Sequence, residues 1–268
     1  MNDKHPGTTV TEEHYSVNPV KIDVLIPAID KDLPVLPSVI DGIRNNVLHP
    51  IENIYIVAPD SSKIKELCKQ KNCIYIFEDS VLPVDKNKIY ARGWMLQQLL
   101  KLSCDTICTM DHYLIVDADT IFIAPHIYMF ENKTVFYCGE VPWRNKYVFD
   151  HFRRLTKLEP LAKVCMVNHS MFFTKYHLAE LKKWIESIHK KKWYEAILDT
   201  IDPTSTVPFS EYETYGNFML NKFKGNVYLA RAKNLGIKAK EFHKYTPEDL
   251  NKLAKTYNSV SFHNRPGD

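Results

Sequence analysis

The chain has 268 residues, 45% hydrophobic and 25% charged, enough for one large α/β domain or two small ones with a core that needs no disulfide staples. Its 35 Lys and Arg against 32 Asp and Glu leave a net charge of +3, which excludes the strong basic field of a nucleic-acid binder while tolerating an anionic substrate. No apolar run approaches the ~18 residues that span a bilayer, and residues 1–18 are polar without an apolar leader core, so a flexible arm on a cytoplasmic protein is expected.

In chain order, Val20–Pro27 reads as a buried strand and Leu33–Val47 as a helix, with Pro34 and Pro37 tolerable near its start. Asn53–Ala58 is a second strand, Ser62 caps a helix running to about Gln70, and Cys73–Phe77 is a third strand. A helix over Lys88–Leu102 and a strand over Tyr113–Val116 follow, the strand passing through Asp117-Ala118-Asp119 into the apolar Thr120–Ile123. This β-α-β-α-β order predicts a mostly parallel central sheet flanked by helices, with ligands bound beyond the carboxyl ends of its strands. Residues 19–123 then read as a nucleotide-fold half and 124–268 as a less regular second half of one domain. In the second half, Thr134–Gly139 and Val164–Thr174 read as strands, His177–Leu198 and Glu211–Phe223 as helices, and Val227–Ala230 and Ser259–His263 as short strands. The six cysteines form no Cys-x-x-Cys pair and sit largely in apolar runs, as reduced core thiols do.

Asp-x-Asp is a weak pattern, since Asp30-Lys31-Asp32 spells it too. Context separates the two. Asp117 and Asp119 are flanked by apolar strands, and unpaired carboxylates buried there cost several kcal/mol. A divalent cation, Mn²⁺ or Mg²⁺, relieves that cost; an ion pair with a nearby Lys or Arg is the structural alternative.

The run Asp111–Phe122, DHYLIVDADTIF, resembles the central segment of GT-A glycosyltransferases, in which a hydrophobic strand delivers Asp-x-Asp to a sugar nucleotide's diphosphate. Arg92–Lys101 resembles the helix just upstream, and the likeness spans Val20–Phe122, nearest to a bacterial group linked to surface-polysaccharide assembly. It implies a GT-A fold, a UDP-sugar or related donor, and a glycan or lipid-linked acceptor. It implies Pro27, Ala28 and Asp60 around base and ribose, Arg92 at the diphosphate, Asp117 at ribose or metal, and Asp119 as metal ligand. His263 is placed as a third ligand. Turn formation explains Asp60 equally well, and an exposed helix arginine explains Arg92.

Acceptor-side candidates are Trp143, His169, Ser170 and Tyr212, and Glu211 or Glu213 is a candidate base for an inverting transfer. Ser210 with Glu213 is also a capping box, which leaves Glu211 the freer carboxylate. Lys182-Lys183-Trp184 and Lys190-Lys191-Lys192-Trp193 suit peripheral contact with an anionic membrane, or simply a solvated helix face. A sugar nucleotidyltransferase would need a glycine-rich loop after the first strand, where PAIDKD stands instead. A non-catalytic sugar- or nucleotide-binding protein on the same fold is the remaining alternative.

Overall fold

The computed structural model describes residues 17–141 and 145–263, apart from the side chains of Lys88 and Arg92. Residues 1–16 of the expected arm lie outside that range. The order is β1 (Ile22–Pro27), α1 (Leu36–Asn46), β2 (Ile51–Ala58), α2 (Ser62–Gln70), β3 (Ile74–Phe77), α3 (Arg92–Leu102), α4 (Cys104–Ile107), β4 (His112–Val116), β5 (Thr120–Phe122), β6 (Met129–Phe130) and β7 (Lys133–Cys138). Then come α5 (Lys146–Thr156), β8 (Ser170–Thr174), α6 (Lys175–His189), α7 (Trp193–Thr200), α8 (Glu211–Lys222), β9 (Val227–Arg231), β10 (Asn234–Lys238), α9 (Pro247–Leu253) and β11 (Ser259–His263).

The central sheet has the order β3-β2-β1-β4-β8, parallel except for β8, which runs antiparallel to β4. It is the expected mostly parallel sheet flanked by helices. β1 is buried along its whole length, which is why it reads as a near-continuous apolar run. The exception, Asp23, is fully buried, and its carboxylate accepts hydrogen bonds from Asn53, Thr109 and Met110, so it is a satisfied structural acid. Side chains alternate between two cores. Leu25, Tyr113 and Ile115 pack with α3, α6 and α8, whereas Val24, Ile26, Leu114 and Val116 pack with α1, α2 and the apolar residues of β5 and β11.

Two small sheets flank the central one: β10-β11-β5, with β11 antiparallel to β5, and β6-β7-β9. Asp117–Asp119 is the corner where the chain leaves the central sheet and enters the first of these. α1 crosses β5 closely enough that a Cβ on Gly42 would lie 2.8 Å from the Phe122 carbonyl oxygen.

Three expectations change. The helix expected over His177–Leu198 is two helices, because Lys190 takes a left-handed conformation (φ 55°) and Glu186 and Glu195 accept the next amides, those of Trp193 and Lys192. The strand expected from Val164 begins only at Ser170, and residues 157–169 form an irregular connection. Ser61, not Ser62, caps α2, accepting from the Ile64 amide at 3.2 Å.

Candidate functional site

Two strand registers assemble the site. In the first, β4 pairs with β8 as far as Val116 opposite Ser170, and the Asp117 amide continues it by donating to the His169 carbonyl at 2.8 Å. In the second, β5 pairs with β11 with Thr120 opposite Ser261, and the Phe262 amide donates to the Asp119 carbonyl at 2.8 Å. One histidine is thereby laid beside each motif aspartate. His169 Nδ1 is 3.2 Å from Asp117 Oδ2, and His263 Nδ1 is 3.2 Å from Asp119 Oδ2. The two imidazoles lie 4.7 Å apart at 46°. His169 itself is left-handed (φ 60°), a conformation uncommon outside glycine and here fixed by its contacts to Asp117.

Asp119, His169 and His263 each offer one ligand atom, and the three lie within 4.8 Å of one another. Nitrogen and oxygen ligands sit about 2.0–2.2 Å from a small divalent ion, so ligand atoms this close together can be drawn onto one ion by side-chain adjustment. Two imidazoles and a carboxylate are a reasonable donor set for a first-row transition ion. The residues therefore fit a metal.

Asp117 has a different environment. The ammonium of Lys101, itself nearly excluded from solvent, is bonded to Asp117 Oδ1 and lies 2.9 Å from Glu211 Oε1 and 4.5 Å above the Tyr212 ring. Tyr212 donates its hydroxyl to Asp117 Oδ1 at 3.2 Å. Burial opposes ionisation of Asp117, yet Lys101 and His169 hold its carboxyl well below the usual carboxylate range. Burial also opposes the charge on Lys101, and Asp117 and Glu211 outweigh it, raising the ammonium above the ordinary lysine value. Glu211 is pushed up by burial despite the pull of Lys101, whose ammonium 2.9 Å away is the partner of its Oε1.

Glu213 is fully buried and turned elsewhere. Its Oε1 accepts from the Met166 amide at 2.9 Å and its Oε2 from Asn217 at 3.2 Å, while Ser210 caps α8 through the Glu213 amide. Burial pushes its carboxyl up to about 7. Neither glutamate is exposed. Ser170 is buried with its hydroxyl 3.1 Å from that of Tyr128. Pro27 ends β1 and Ala28 follows it, and both are buried. Asp60, past the end of β2, has a side chain 73% exposed and pairs with Lys65. Trp143 and the Arg92 side chain lie outside the described residues.

Sequence reasoning did not point to two residues. Lys101 completes a stripe on α3 with Trp94 and Gln98, both bonded to the 209–211 backbone, and that helical spacing was its available signal. Asp32 belongs to the Asp-x-Asp treated as chance. A 3-10 turn after β1 sets it within electrostatic range of Asp119 and Asp117, and its carboxyl is raised first by burial and then by those two charges. The Trp184 and Trp193 rings are covered by Lys222 and Lys182, and among the described residues no helix is long and apolar enough to cross a membrane.

One protein family, described as a family of unknown function (DUF6492), matches residues 43–262. No curated protein matches the sequence. Among solved structures, glucosyl-3-phosphoglycerate synthase from Mycobacterium tuberculosis, in complex with Mn²⁺, uridine diphosphate and glucosyl-3-phosphoglycerate, is similar at 13% identity and a TM-score of 0.43, over 79% of this chain and 70% of that one. The galactosyltransferase LgtC with donor and acceptor sugar analogues is similar at 10% identity and 0.43, over 90% and 87%. Mouse xyloside xylosyltransferase 1 is similar at 10% identity and 0.45, over 90% and 97%.

Proposed function

The chain belongs to the family of unknown function DUF6492, whose description assigns no activity, and from the site itself we propose that it is a metal-dependent glycosyltransferase of the GT-A kind. It moves a sugar from a nucleoside-diphosphate donor, a UDP-sugar first among them, to a hydroxyl on a glycan or lipid-linked acceptor. The observation that carries this reading is the convergence of Asp119, His169 and His263, beside Asp117, at the carboxyl end of β4. Such strand ends are where α/β sheets bind ligands, and β1 and β2 bring Pro27, Ala28 and Asp60 to the same edge for base and ribose.

When bound, the ion supplies positive charge to the departing diphosphate. Asp119, His169 and His263 would hold it, and two imidazoles favour Mn²⁺ over Mg²⁺. Lys101 and Tyr212 keep Asp117 ionised and oriented toward His169. A base for inversion must reach the acceptor hydroxyl, and both Glu211 and Glu213 are buried. That burial favours transfer with retention of configuration over the inversion expected from sequence, and NMR of the product anomer decides between them.

The decisive experiment is thermal unfolding with UDP and Mn²⁺. At a hundredfold excess over Kd, binding adds about 2.7 kcal/mol, or roughly 5–10 °C in a chain of this size. The shift should require the metal and vanish in Asp119→Ala; a full shift without metal in that variant would refute the site. Released diphosphate across a panel of sugar nucleotides separates an enzyme from a binding protein and identifies the donor.

A further inference from the structure

The connection 157–169 joins α5 to β8 and ends on His169. It is an irregular thirteen-residue stretch running partly against buried structure, and its backbone donors and acceptors there must find partners other than a strand or helix. Several are supplied by one face of α8. Asn221 donates to the Glu159 carbonyl at 2.9 Å. Asn217 Oδ1 accepts from the Leu161 and Ala162 amides at 2.8 and 2.9 Å. Glu213 Oε1 accepts from the Met166 amide at 2.9 Å. Positions 213, 217 and 221 are spaced four apart, so they share a helix face. Asn217 also donates to Glu213 Oε2, which ties two of the rungs together. Gly216 allows the close approach, because a Cβ there would lie 2.9 Å from Met166 Cγ. On its other side the connection is pinned by the Gly139 amide, which donates to the Cys165 carbonyl at 2.9 Å.

We propose that Glu213, Asn217 and Asn221 form a positioning ladder that holds residues 159–166 in place and thereby keeps His169 turned into the metal site. The inference rests on the metal-site reading above and assigns Glu213 a role through His169 rather than at the reacting atoms. The innermost rung, Glu213, grips Met166 three residues before His169. Beyond it only Val167 and Asn168 separate the anchor from His169 and the start of β8, whose register with β4 is already fixed. If the Met166 anchor is lost, the left-handed backbone of His169 loses the constraint that comes from its N-terminal side.

The test is Mn²⁺ binding, read by electron paramagnetic resonance titration and by spin-echo detection of imidazole nitrogen. The variants are Glu213→Ala, Glu213→Asp and Glu213→Gln, with Ile185→Ala in the α6 core as a control for general destabilisation. Wild type should show coupling to two imidazoles. Loss of the partners that orient a metal's ligands weakens affinity by about 10- to 100-fold, and roughly tenfold is expected for Glu213→Ala with one imidazole coupling lost. Glu213→Asp keeps a carboxyl but withdraws it from the Met166 amide, and should show the same loss. Glu213→Gln keeps an acceptor for the Met166 amide while giving up the bond from Asn217, and should keep both couplings with an affinity closer to wild type than that of Glu213→Ala. Wild-type affinity with both couplings in Glu213→Ala or Glu213→Asp would overturn the ladder, as would an equal loss in Ile185→Ala. Wild-type protein without imidazole coupling would instead overturn the metal site, and the ladder's purpose with it.

Discussion

Glu213→Gln should change how stability depends on pH, in a window set by one buried carboxyl. Glu213 is 0% exposed, and burial raises its carboxyl from 4.5 to about 7. A folded-state value above the unfolded one means that the native protein binds the proton more tightly, so stability falls as pH rises between the two values. Below about pH 4.5 both states are protonated and Glu213 costs nothing; above about pH 7 the native state carries the full penalty of a buried carboxylate. At about 1.4 kcal/mol per pH decade, the window is worth about 3 kcal/mol. Glutamine keeps an acceptor for the Met166 amide and has no proton to lose. Urea unfolding of both proteins, followed by tryptophan fluorescence across that window, isolates the effect, because every other titrating group is common to the two. Glu213→Gln should gain on wild type by about 3 kcal/mol from the acid to the neutral end, most steeply between the two values. Curves that stay parallel within about 0.5 kcal/mol would show that the Glu213 carboxyl titrates as an ordinary glutamate, and the burial argument would fail.

Lys101→Met removes the only cation bonded to both Asp117 and Glu211 among the described residues, and should cost about 3–5 kcal/mol at neutral pH. Without the ammonium both carboxyls take up protons more readily, so the deficit should shrink on acidification. Adding Glu211→Gln should recover part of it, and a Lys101→Met protein as stable as wild type at neutral pH in urea would refute the arrangement. Gly42→Ala and Gly216→Ala each force a Cβ into about 3 Å of a neighbour, at a cost of roughly 1–3 kcal/mol. Gly42 should be the worse, because it meets the Phe122 backbone carbonyl whereas Gly216 meets a flexible methionine. Thermal unfolding that ranks them the other way would show that Met166 cannot yield.

The first half was legible because β1 and β4 are buried on both faces and read as apolar runs, with turn residues at their ends, while the half-exposed β3 still stands out as a short apolar run. The second half was less so. α5 carries a clear amphipathic stripe of Val148, Phe152 and Leu155 behind an Asn145 cap that sequence reasoning passed over, β10 is only half-buried, and residues 157–169 contain apolar Leu158, Val164, Met166 and Val167 that imitate a strand. Those side chains pack on the helical core, while the backbone is bonded to α8 side chains and meets a strand only at the single bridge of Cys165 to Gly139, so hydrophobicity was present without a continuing ladder. The break at Lys190 was hidden by a helical periodicity that continues on both sides of it.

The candidate site divides along the same physical line. Asp117 and Asp119 are marked by the strands on either side of them, a local signal. His263 is marked by its place at the end of an apolar strand, a weaker one. His169 carries no local mark that separates a metal ligand from an acceptor contact, because what places it is the antiparallel register of β8 against β4, formed between residues 52 positions apart in the chain. Asp32 was indistinguishable from a chance motif for a related reason: only the close approach of the β1 and β4 ends gives it the charges of Asp117 and Asp119 as neighbours. Asp117 has Lys101 to neutralise it, whereas Asp119 and Asp32 have no comparable buried cation among the contacts described. The site therefore concentrates negative charge on the side where Asp119, His169 and His263 converge. A divalent ion bound there would stabilise the fold as well as the substrate, which is why metal affinity and thermal stability should rise and fall together across the Asp119 and His263 variants.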